Sequence, residues 1–310
     1  MRVLHVIAKN NGISNPAILG QCNALNNYVT VDLFTYEASS LLNYVKAAQS
    51  LRHKTKVGKY DIIHAHFSRS GLISIFASHR IPVVVSFMGT DILGSSVINK
   101  FVKVFIELFA RHIIIKSKEM ADILLFQNNP SVIPNGVDLD MFREIDKEGA
   151  KNSLGLLPDK RYILFVGNPK RKEKNYKLAA MAFNRLRKTE DNLELLTIYR
   201  KPHEAMPLYL NACDVLLMTS FYEGSPNTIK EAMACNCPIV STYVGDVKKV
   251  IGCTEGCYIT SFNPEDVAAA LSKALLFGKR TNGCQAIGHL EQHIIAKKIV
   301  RVYERILGPS

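Results

Sequence analysis

Short runs of β-branched and other apolar residues recur along the whole chain, and each is followed by an amphipathic stretch long enough to form a helix. The runs are continuously apolar, which is typical of parallel strands buried on both faces. We predict strands at residues 2–8, 29–34, 61–66, 83–87, 112–117, 162–167, 193–199, 214–220, 238–242 and 257–260. Strands that alternate with helices form parallel sheets covered by helices. The sequence therefore predicts an α/β fold.

The strand pattern divides the chain into two halves, and 310 residues suit two domains of ordinary size. The stretch 143–160 is charged and contains glycine and proline, which is typical of a linker. We predict Rossmann-like domains at 1–150 and 160–288, each with a doubly wound parallel sheet, and a final helix at 289–307 that packs back toward the first domain. Two such domains facing each other would form a cleft at the carboxyl ends of their strands, where ligands of parallel sheets bind.

The composition indicates a globular protein of a reducing compartment. A membrane span needs about 18 uninterrupted apolar residues, and the nearest candidate, 101–115, contains three charged residues. The seven cysteines lack the paired spacings of a zinc site, so we expect free thiols. The apolar run at 2–8 is interpreted as the first strand of a mature protein and not as a signal peptide. We therefore predict a cytoplasmic protein.

The formal net charge of +12 is concentrated in part in an acid-free stretch, residues 38–60, which carries five lysines and arginines. Such a patch suits nucleic acid, an anionic lipid surface or a small anionic substrate, or is simply a solvated face. No zinc-finger, RRM or helix-turn-helix pattern supports nucleic acid, so we predict none as a partner. Peripheral contact with an anionic membrane, at the inner face of the cell membrane, stays open. The apolar helix at 97–110 is either a domain-packing helix or a monotopic membrane contact.

A basic loop follows the first strand of the second half. Lys170, Arg171, Lys172 and Lys174 lie between the end of that strand and the start of a helix. A helix N-terminus adds partial positive charge and free backbone N–H groups. The loop is therefore either a diphosphate-binding loop or an ordinary exposed basic loop.

The stretch FYEGSPNTIKEAM, residues 221–233, places two glutamates on either side of a glycine-containing loop. Glu223 lies on the strand side, where its carboxylate can accept hydrogen bonds from two hydroxyls of a sugar or ribose. Glu231 has two open interpretations. Together with Thr228 it matches the capping-box pattern, in which the glutamate bonds back to the helix N-cap amide. Alternatively, it is a second ligand carboxylate.

Several motifs resemble those of the family-4 (group 1) retaining glycosyltransferases. The segment EGSPNTIKEAMA, residues 223–234, is similar to the E-x7-E signature of that family. The other similar segments are VIPNGVDLDMF (132–142), ILFVGNPKRKEKN (163–175), SFNPEDVAAALSKAL (261–275), DIIHAHFS (61–68) and SFMGTD (86–91). They occur in the family's order and span about residues 60 to 275. The resemblance implies the GT-B fold, in which two Rossmann-like domains face each other.

The resemblance also implies roles for individual residues. Glu231 would bind the ribose hydroxyls of the donor nucleotide, Glu223 would hold hydroxyls of the donor sugar, and Lys174 would neutralise the departing diphosphate. Glu223 and Lys174 are thus the implied catalytic pair. The implied nucleotide-sugar-binding residues are Gly167, Asn168, Lys170, Arg171, Gly224, Ser225, Pro226, Asn227, Thr228 and Glu231. No metal or other cofactor is implied, because the cationic side chain and backbone amides would stabilise the leaving charge.

The chain departs from the family pattern at three places. Asn168 stands where an arginine is usual, so Lys170 or Arg171 would supply the second charge. Met88 stands where a histidine is common, and the loop 9–15 lacks the usual glycine pair.

The acceptor-side candidates are His66, at the end of the third strand, and Asp91, which follows the fourth strand. We interpret His66 as able to reach the cleft, and His64 as a core residue on the opposite face of the strand. Asp91 would either bind acceptor hydroxyls or cap a helix that begins near residue 95. Asp138 and Asp140 form a DxD pattern, which we interpret as a chance match and not as a metal site.

Taken together, these patterns favour a hexosyltransferase that moves a hexose from a UDP- or GDP-sugar to a glycan or lipid-linked acceptor in surface polysaccharide synthesis. Retaining members of the family are thought to react on one face of the sugar, with the leaving phosphate helping to deprotonate the acceptor. Two alternatives remain open. One is a catalytically weak nucleotide-sugar-binding protein, and the other is a GT-B nucleotide-sugar epimerase, which would convert its donor without an acceptor.

Overall fold

Every strand predicted from the sequence forms in the computed structural model, which describes residues 1–9, 12, 14–93, 97–126 and 129–308. The chain forms two units, one consisting of Met1–Gly136 with Gln292–Ser310 and the other of Val137–Glu291. Each unit contains one parallel sheet. The prediction of an α/β fold with two doubly wound parallel sheets is therefore confirmed.

The first unit contains a six-stranded sheet. Its strands are β1 (Arg2–Lys9), β2 (Thr30–Glu37), β3 (Ile62–His66), β4 (Val83–Ser86), β5 (His112–Ile115) and β6 (Ser131–Val132). They lie in the order β2-β1-β3-β4-β5-β6, and each pairing is parallel. All residues of β3 and β4 are buried, which explains why these strands are continuously apolar apart from a few polar core residues.

The helices of the first unit connect these strands and cover the sheet. They are α1 (Pro16–Leu25), α2 (Leu41–Val57), α3 (Ser68–Ala77), α4 (Thr90–Leu93), α5 (Val97–Phe109) and the C-terminal helix α13 (Gln292–Leu307). Helix α13 packs against α1, so the end of the chain belongs to the first unit. A short 3-10 helix at Lys118–Ile123 follows β5.

A buried cluster of histidines lies in the core of the first unit. Nδ1 of His5 is 3.0 Å from Nε2 of His66, while the ring of His64 bonds to the Tyr303 hydroxyl at 2.5 Å and the Ser86 hydroxyl at 2.8 Å. The rings of His64 and His66 stack at 4.5 Å between centroids. The prediction that these two side chains face opposite sides was wrong, because residues two apart on a strand share a face.

The second unit contains a five-stranded sheet. Its strands are β7 (Arg161–Val166), β8 (Leu193–Ile198), β9 (Val215–Met218), β10 (Ile239–Thr242) and β11 (Cys257–Thr260). The strand order is β11-β10-β9-β7-β8, again with parallel pairings. Its helices are α6 (Lys147–Ser153), α7 (Tyr176–Leu186), α8 (Met206–Ala212), α9 (Asn227–Ala234), α10 (Val247–Ile251), α11 (Pro264–Phe277) and α12 (Gly283–Ala286).

The division between the units lies earlier than the linker predicted at residues 143–160. Helix α6 packs against α8 in the second unit. The side chain of Asn211 on α8 accepts a hydrogen bond from the Ile145 amide and donates one to the Arg143 carbonyl, both at 3.0 Å. These contacts hold the predicted linker on the second unit, so residues 137–150 belong there and not to the first domain.

Two sequence features fall partly outside the described residues. Residues 10, 11 and 13 of the loop 9–15 lie outside them, as do residues 94–96, where the helix start near residue 95 was predicted. Among the described residues, no helix combines the length and the apolar composition needed to cross a membrane.

Candidate functional site

The loops that carry most of the predicted donor-site residues lie at one edge of the second sheet. In a parallel sheet, the segments that follow the strands emerge at the carboxyl edge, which is the usual ligand-binding edge. The basic loop 167–175 follows β7, and the glycine loop 219–226 follows β9. The side chain of Thr219 ties the two loops together, since its hydroxyl donates to the carbonyls of Lys174 and Asn175 at 3.2 and 3.0 Å.

The predicted catalytic pair forms an ion pair. Lys174 Nζ donates to Oε1 of Glu223 at 2.6 Å, and the Ser220 hydroxyl donates to the same oxygen at 2.8 Å. Both side chains are mostly buried, with 21% and 12% of their surface exposed. Oε2 of Glu223 has no hydrogen-bond partner among the residues that the structure describes. The carboxylate is thus fixed through one oxygen while the other remains able to accept from a hydroxyl.

Gly167 allows the lysine to take this position. Its backbone has φ 148°, a conformation that favours glycine. A Cβ atom at this residue would lie 3.4 Å from Cγ of Lys174, so the lysine stem runs alongside the glycine. The sharp turn directly after β7 therefore directs the basic loop toward the glycine loop.

Glu231 does not cap its helix. Helix α9 begins at Asn227 with Pro226 as its N-cap residue, and no side chain bonds to the cap. The capping-box interpretation of Thr228 and Glu231 was therefore wrong. Instead, Oε1 of Glu231 is 2.8 Å from Nε2 of His203, a residue of the segment that follows β8. Oε2 of this carboxylate likewise lacks a partner among the described residues.

The contact with Glu231 alters the acidity of His203. The hydrogen bond to the carboxylate raises the pKa of the imidazole above its ordinary value of 6.5, although partial burial opposes the change. The protonated histidine and the ionised glutamate form a charge-assisted pair that orients the carboxylate.

A pH dependence of stability follows from this pair. Because the folded pKa of His203 is raised, the pair stabilises the fold fully below about pH 6.5 and loses this contribution as the pH rises through the folded pKa. We expect His203→Gln to lower the free energy of unfolding by about 1 kcal/mol at pH 6 and by less at pH 8.5. Urea unfolding of both proteins across this range measures the difference. A difference that does not change with pH would contradict the assignment.

The other predicted binding residues of the basic loop differ in their contacts. The side chain of Asn168 accepts a hydrogen bond from the Lys170 amide at 3.0 Å, which makes it a turn residue. Lys170 is exposed. Arg171 pairs with the neighbouring carboxylate of Glu173. Of the basic side chains predicted to meet a diphosphate, Lys174 is therefore the one held against the glycine loop.

The glycine loop itself is well packed. Gly224, Ser225 and Pro226 are buried, while Asn227 and Thr228 are partly exposed at the first turn of α9. The Ser225 hydroxyl donates to Oδ2 of Asp246 and lies 2.5 Å from Nζ of Lys230. The segment that carries the predicted backbone donors is thus anchored from its buried side.

The acceptor-side candidates both lie in the first unit and are both buried. His66 is fully buried and bonded to His5, so the prediction that it reaches a cleft was wrong. Asp91 accepts hydrogen bonds from the amides of Ser68, Met88 and Gly89 at 2.8 to 3.0 Å. Burial raises the pKa of its carboxyl to about 6, while these amide bonds act in the opposite direction. Asp91 thus holds together the segments that follow β3 and β4.

Two groups contain side chains of the types that bind metal ions. Oδ1 of Asp138 accepts from the amides of Asp140 and Met141 at 3.0 and 2.9 Å, which is the geometry of a turn. Among the described residues, one group brings three ligand atoms within 4.8 Å of one another: His5, Cys22 and His66, all buried in the first unit. This group contains no residue of the glycine or basic loop.

Sequence reasoning missed His203, Lys230 and Asp246. His203 and Asp246 lie in segments that follow β8 and β10, so the rule that ligand residues follow parallel strands could have found them. Lys230 gave no such signal, because a lysine on a helix next to a glutamate normally faces solvent.

Two family models match the chain. The model described as Glycosyltransferase Family 4 matches residues 14–141, and that described as Glycosyl transferases group 1 matches residues 196–276. The first lies within the first unit except for its last few residues, and the second lies within the second unit.

Individual relatives are more distant. The chain is 27% identical over 240 residues to TuaC of Bacillus subtilis, a glycosyltransferase named for teichuronic acid biosynthesis, covering 69% of this chain and 61% of that protein. It is also 27% identical over 248 residues to an Escherichia coli UDP-Gal:alpha-D-GlcNAc-diphosphoundecaprenol alpha-1,3-galactosyltransferase, covering 67% of this chain and 64% of that protein. The chain thus spans less than two thirds of the length of these relatives.

Solved structures agree in fold over nearly the whole chain. Sucrose-phosphate synthase from Thermosynechococcus elongatus superposes with a TM-score of 0.78 at 17% identity, covering 98% of each chain. Anabaena HepE in complex with UDP superposes with a TM-score of 0.74 at 17% identity, covering 98% of this chain and 100% of that one. With both family models matched in order and this fold, the chain belongs to the family 4, group 1 glycosyltransferases and has the GT-B fold.

Proposed function

We propose that the protein is a hexosyltransferase that moves a hexose from a UDP- or GDP-sugar to a glycan or lipid-linked acceptor in the synthesis of a surface polysaccharide. The observation that carries the proposal is the pair of carboxylates at the glycine loop. Glu223 and Glu231 are each held through one oxygen and keep the other available, and Lys174 lies against the first of them. Such acceptor pairs suit the hydroxyls of a sugar and a ribose, and the lysine suits a diphosphate.

The proposed transfer chemistry is the one that the family resemblance implies. The bond between C1 of the hexose and the phosphate oxygen breaks, and a bond between C1 and the acceptor oxygen forms. The acceptor proton passes to the leaving phosphate, so that attack on the same face of the sugar retains its configuration. Lys174 and the amides of Ser225 to Thr228 would stabilise the negative charge that develops on the leaving diphosphate. We propose that this stabilisation makes a metal ion unnecessary.

The relatives support a donor and acceptor of these classes. The Escherichia coli relative is named for UDP-Gal as donor and for an acceptor linked to diphosphoundecaprenol. HepE was solved with UDP. A UDP-sugar donor and a lipid-linked acceptor are therefore the first pair to test.

A thermal-shift comparison tests donor binding. A ligand that binds only the folded state raises stability by RT ln(1 + [L]/Kd), which is about 2.7 kcal/mol at one hundred times Kd. We expect UDP or GDP to raise the melting temperature by several degrees, and the matching base to do so at lower concentration. The other nucleoside diphosphates are the controls. If neither nucleotide shifts the melting temperature, the proposed donor class is wrong.

Contact with an anionic membrane is also proposed, from the orientation of α5. The buried face of this helix carries an ion pair, Lys103 with Glu107 at 3.1 Å, and Oε2 of Glu107 accepts from the amides of Leu125 and Phe126. Ile106 shares this buried face, whereas several other apolar side chains of the helix are exposed, and Phe101 is 73% exposed. The other exposed apolar residues on or beside this helix are Phe76, Val97, Ile98, Leu108, Phe109, Leu125 and Phe126.

The first unit also carries exposed basic residues. Helix α3 packs against both α2 and α5. Lys46, Arg52 and Lys56 on α2 are exposed, as is Lys100 on α5. An exposed apolar helix face in a unit that also carries exposed lysines and an arginine suits the surface of an anionic bilayer. A lipid-linked acceptor would be presented at the same surface.

A vesicle assay tests this contact. A phenylalanine side chain that inserts into the bilayer contributes a few kcal/mol at most to binding. We therefore expect Phe101→Glu to weaken binding to phosphatidylglycerol vesicles by about tenfold. The matched control is Leu276→Glu, an exposed leucine of α11 in the other unit, 79% exposed. Sedimentation with vesicles measures the binding. Equal binding by the wild type and the Phe101 variant would contradict the proposed contact.

A further inference from the structure

A fully buried lysine lies behind the glycine loop. Lys230 on α9 has no exposed surface, and its Nζ donates to the Ser225 hydroxyl at 2.5 Å. That hydroxyl in turn donates to Oδ2 of Asp246 at 2.5 Å. This chain of contacts joins helix α9, the glycine loop and the segment after β10. A buried ammonium group is costly unless it is paired and hydrogen-bonded, and here the Ser225 hydroxyl and the carboxylates of Asp246 and Glu231 offset part of that cost.

The segment after β10 supports the same loop a second time. Gly245 has φ 49°, and a Cβ atom there would lie 2.4 Å from the carbonyl oxygen of Gly224 and 2.7 Å from that of Glu223. Only a residue without a side chain can approach the loop backbone so closely. The loop between the two glutamates is therefore held from its buried side at adjacent residues, Gly224 and Ser225.

Lys230 keeps its charge near neutral pH in spite of its burial. Desolvation lowers the pKa of the ammonium to about 8, while the carboxylates of Asp246 and Glu231 act to raise it. A pKa of about 8 leaves most of the side chain protonated at pH 7. In the poorly screened interior, a charge acts over a longer distance than it does at the surface.

We propose that Lys230 is a positioning residue for the diphosphate of the donor. Through Ser225, Lys230 orients the end of the glycine loop and the first turn of α9, residues 224–228. The backbone amides of this segment then present a fixed set of hydrogen-bond donors, and the Lys230 ammonium adds a positive charge behind them. The inference rests on the proposed function, since it assumes that the donor diphosphate binds at this loop. It goes further in predicting that Lys230, in addition to Lys174, contributes to the preference for a diphosphate over an uncharged nucleoside.

Binding of UDP and uridine, or of GDP and guanosine if that base is preferred, tests the inference by calorimetry. We expect Lys230→Met to weaken binding of the diphosphate by about tenfold or more and binding of the nucleoside by less than about twofold. A purely structural lysine would move both affinities by the same factor. Lys273→Met, an exposed lysine of α11, is the matched control and should change neither.

Lys230→Gln separates charge from folding, because it keeps a hydrogen-bond donor toward Ser225 without the cation. We expect the same selective loss in this variant, and it serves in place of Lys230→Met if the latter does not fold. Equal losses for diphosphate and nucleoside, or no loss, would overturn the role of Lys230 while leaving the proposed function intact. Failure of the wild type to bind either UDP or GDP would instead overturn the proposed function, and this role with it.

Discussion

Lys174→Met is expected to lower the rate of hexose transfer by about 10²- to 10³-fold, the usual cost of removing one group that stabilises developing charge. The lysine ammonium is 2.6 Å from Glu223 at the glycine loop, where the leaving diphosphate would accumulate charge. Its effect should appear mainly in kcat, because the charge to be stabilised is greatest in the transition state.

The control for this variant is Lys188→Met, which removes a charge from an exposed lysine that follows α7 in the same unit. We expect it to change kcat by less than about threefold, because exposed charges are screened. Steady-state kinetics with one donor and one acceptor measure both variants. A Lys174 variant with full kcat would show that the lysine stabilises only its ion pair with Glu223.

Glu231→Ala is expected to abolish the rise in melting temperature that the matching nucleotide produces. Without this carboxylate, the ribose hydroxyls lose their acceptor, and a buried polar group left unpaired costs about 1–3 kcal/mol. The variant should still fold, since it gives up one contact, that with His203. Thermal denaturation with and without UDP or GDP measures the effect.

Glu265→Ala is the matched control for that experiment, because it removes a carboxylate that pairs with Arg185 on the exposed surface of the same unit. We expect the nucleotide effect to survive in the control. Suppose instead that the Glu231 variant loses about 1 kcal/mol of unfolding free energy but that the nucleotide still raises its melting temperature in full. Glu231 would then have a structural role alone.

The sequence was sufficient to predict the strands other than the two-residue β6, because burial on both faces requires a continuous run of apolar residues. Both sheets are parallel and covered, so their central strands are continuously apolar and stand out from the amphipathic helices. The boundary between the two units has no comparable local sequence pattern. Glycine, proline and charge mark the stretch 143–160 as irregular, but Asn211, which holds its backbone, is distant in sequence.

The site shows the same difference between local and distant contacts. The residues TIKE match a capping pattern, yet the helix starts earlier, at Asn227, and Glu231 meets a partner 28 residues away. The orientation of α5 was equally unpredictable from its own residues. Lys103 and Glu107 are buried beside Ile106, and Glu107 binds the amides of residues 125 and 126, so much of the apolar surface of the helix is left exposed. Such long-range polar contacts decide which face of an amphipathic helix is buried.

The most direct test of the proposed function is the release of nucleoside diphosphate from a panel of UDP- and GDP-sugars, with glycan and diphosphoundecaprenol-linked acceptors and with EDTA present. We predict that one donor yields its diphosphate at a rate that depends on the acceptor and that EDTA leaves unchanged, and that the hexose appears on the acceptor. Donor binding without transfer would instead identify a nucleotide-sugar-binding protein. Folded protein that releases no diphosphate from any donor and acceptor would contradict the proposed activity.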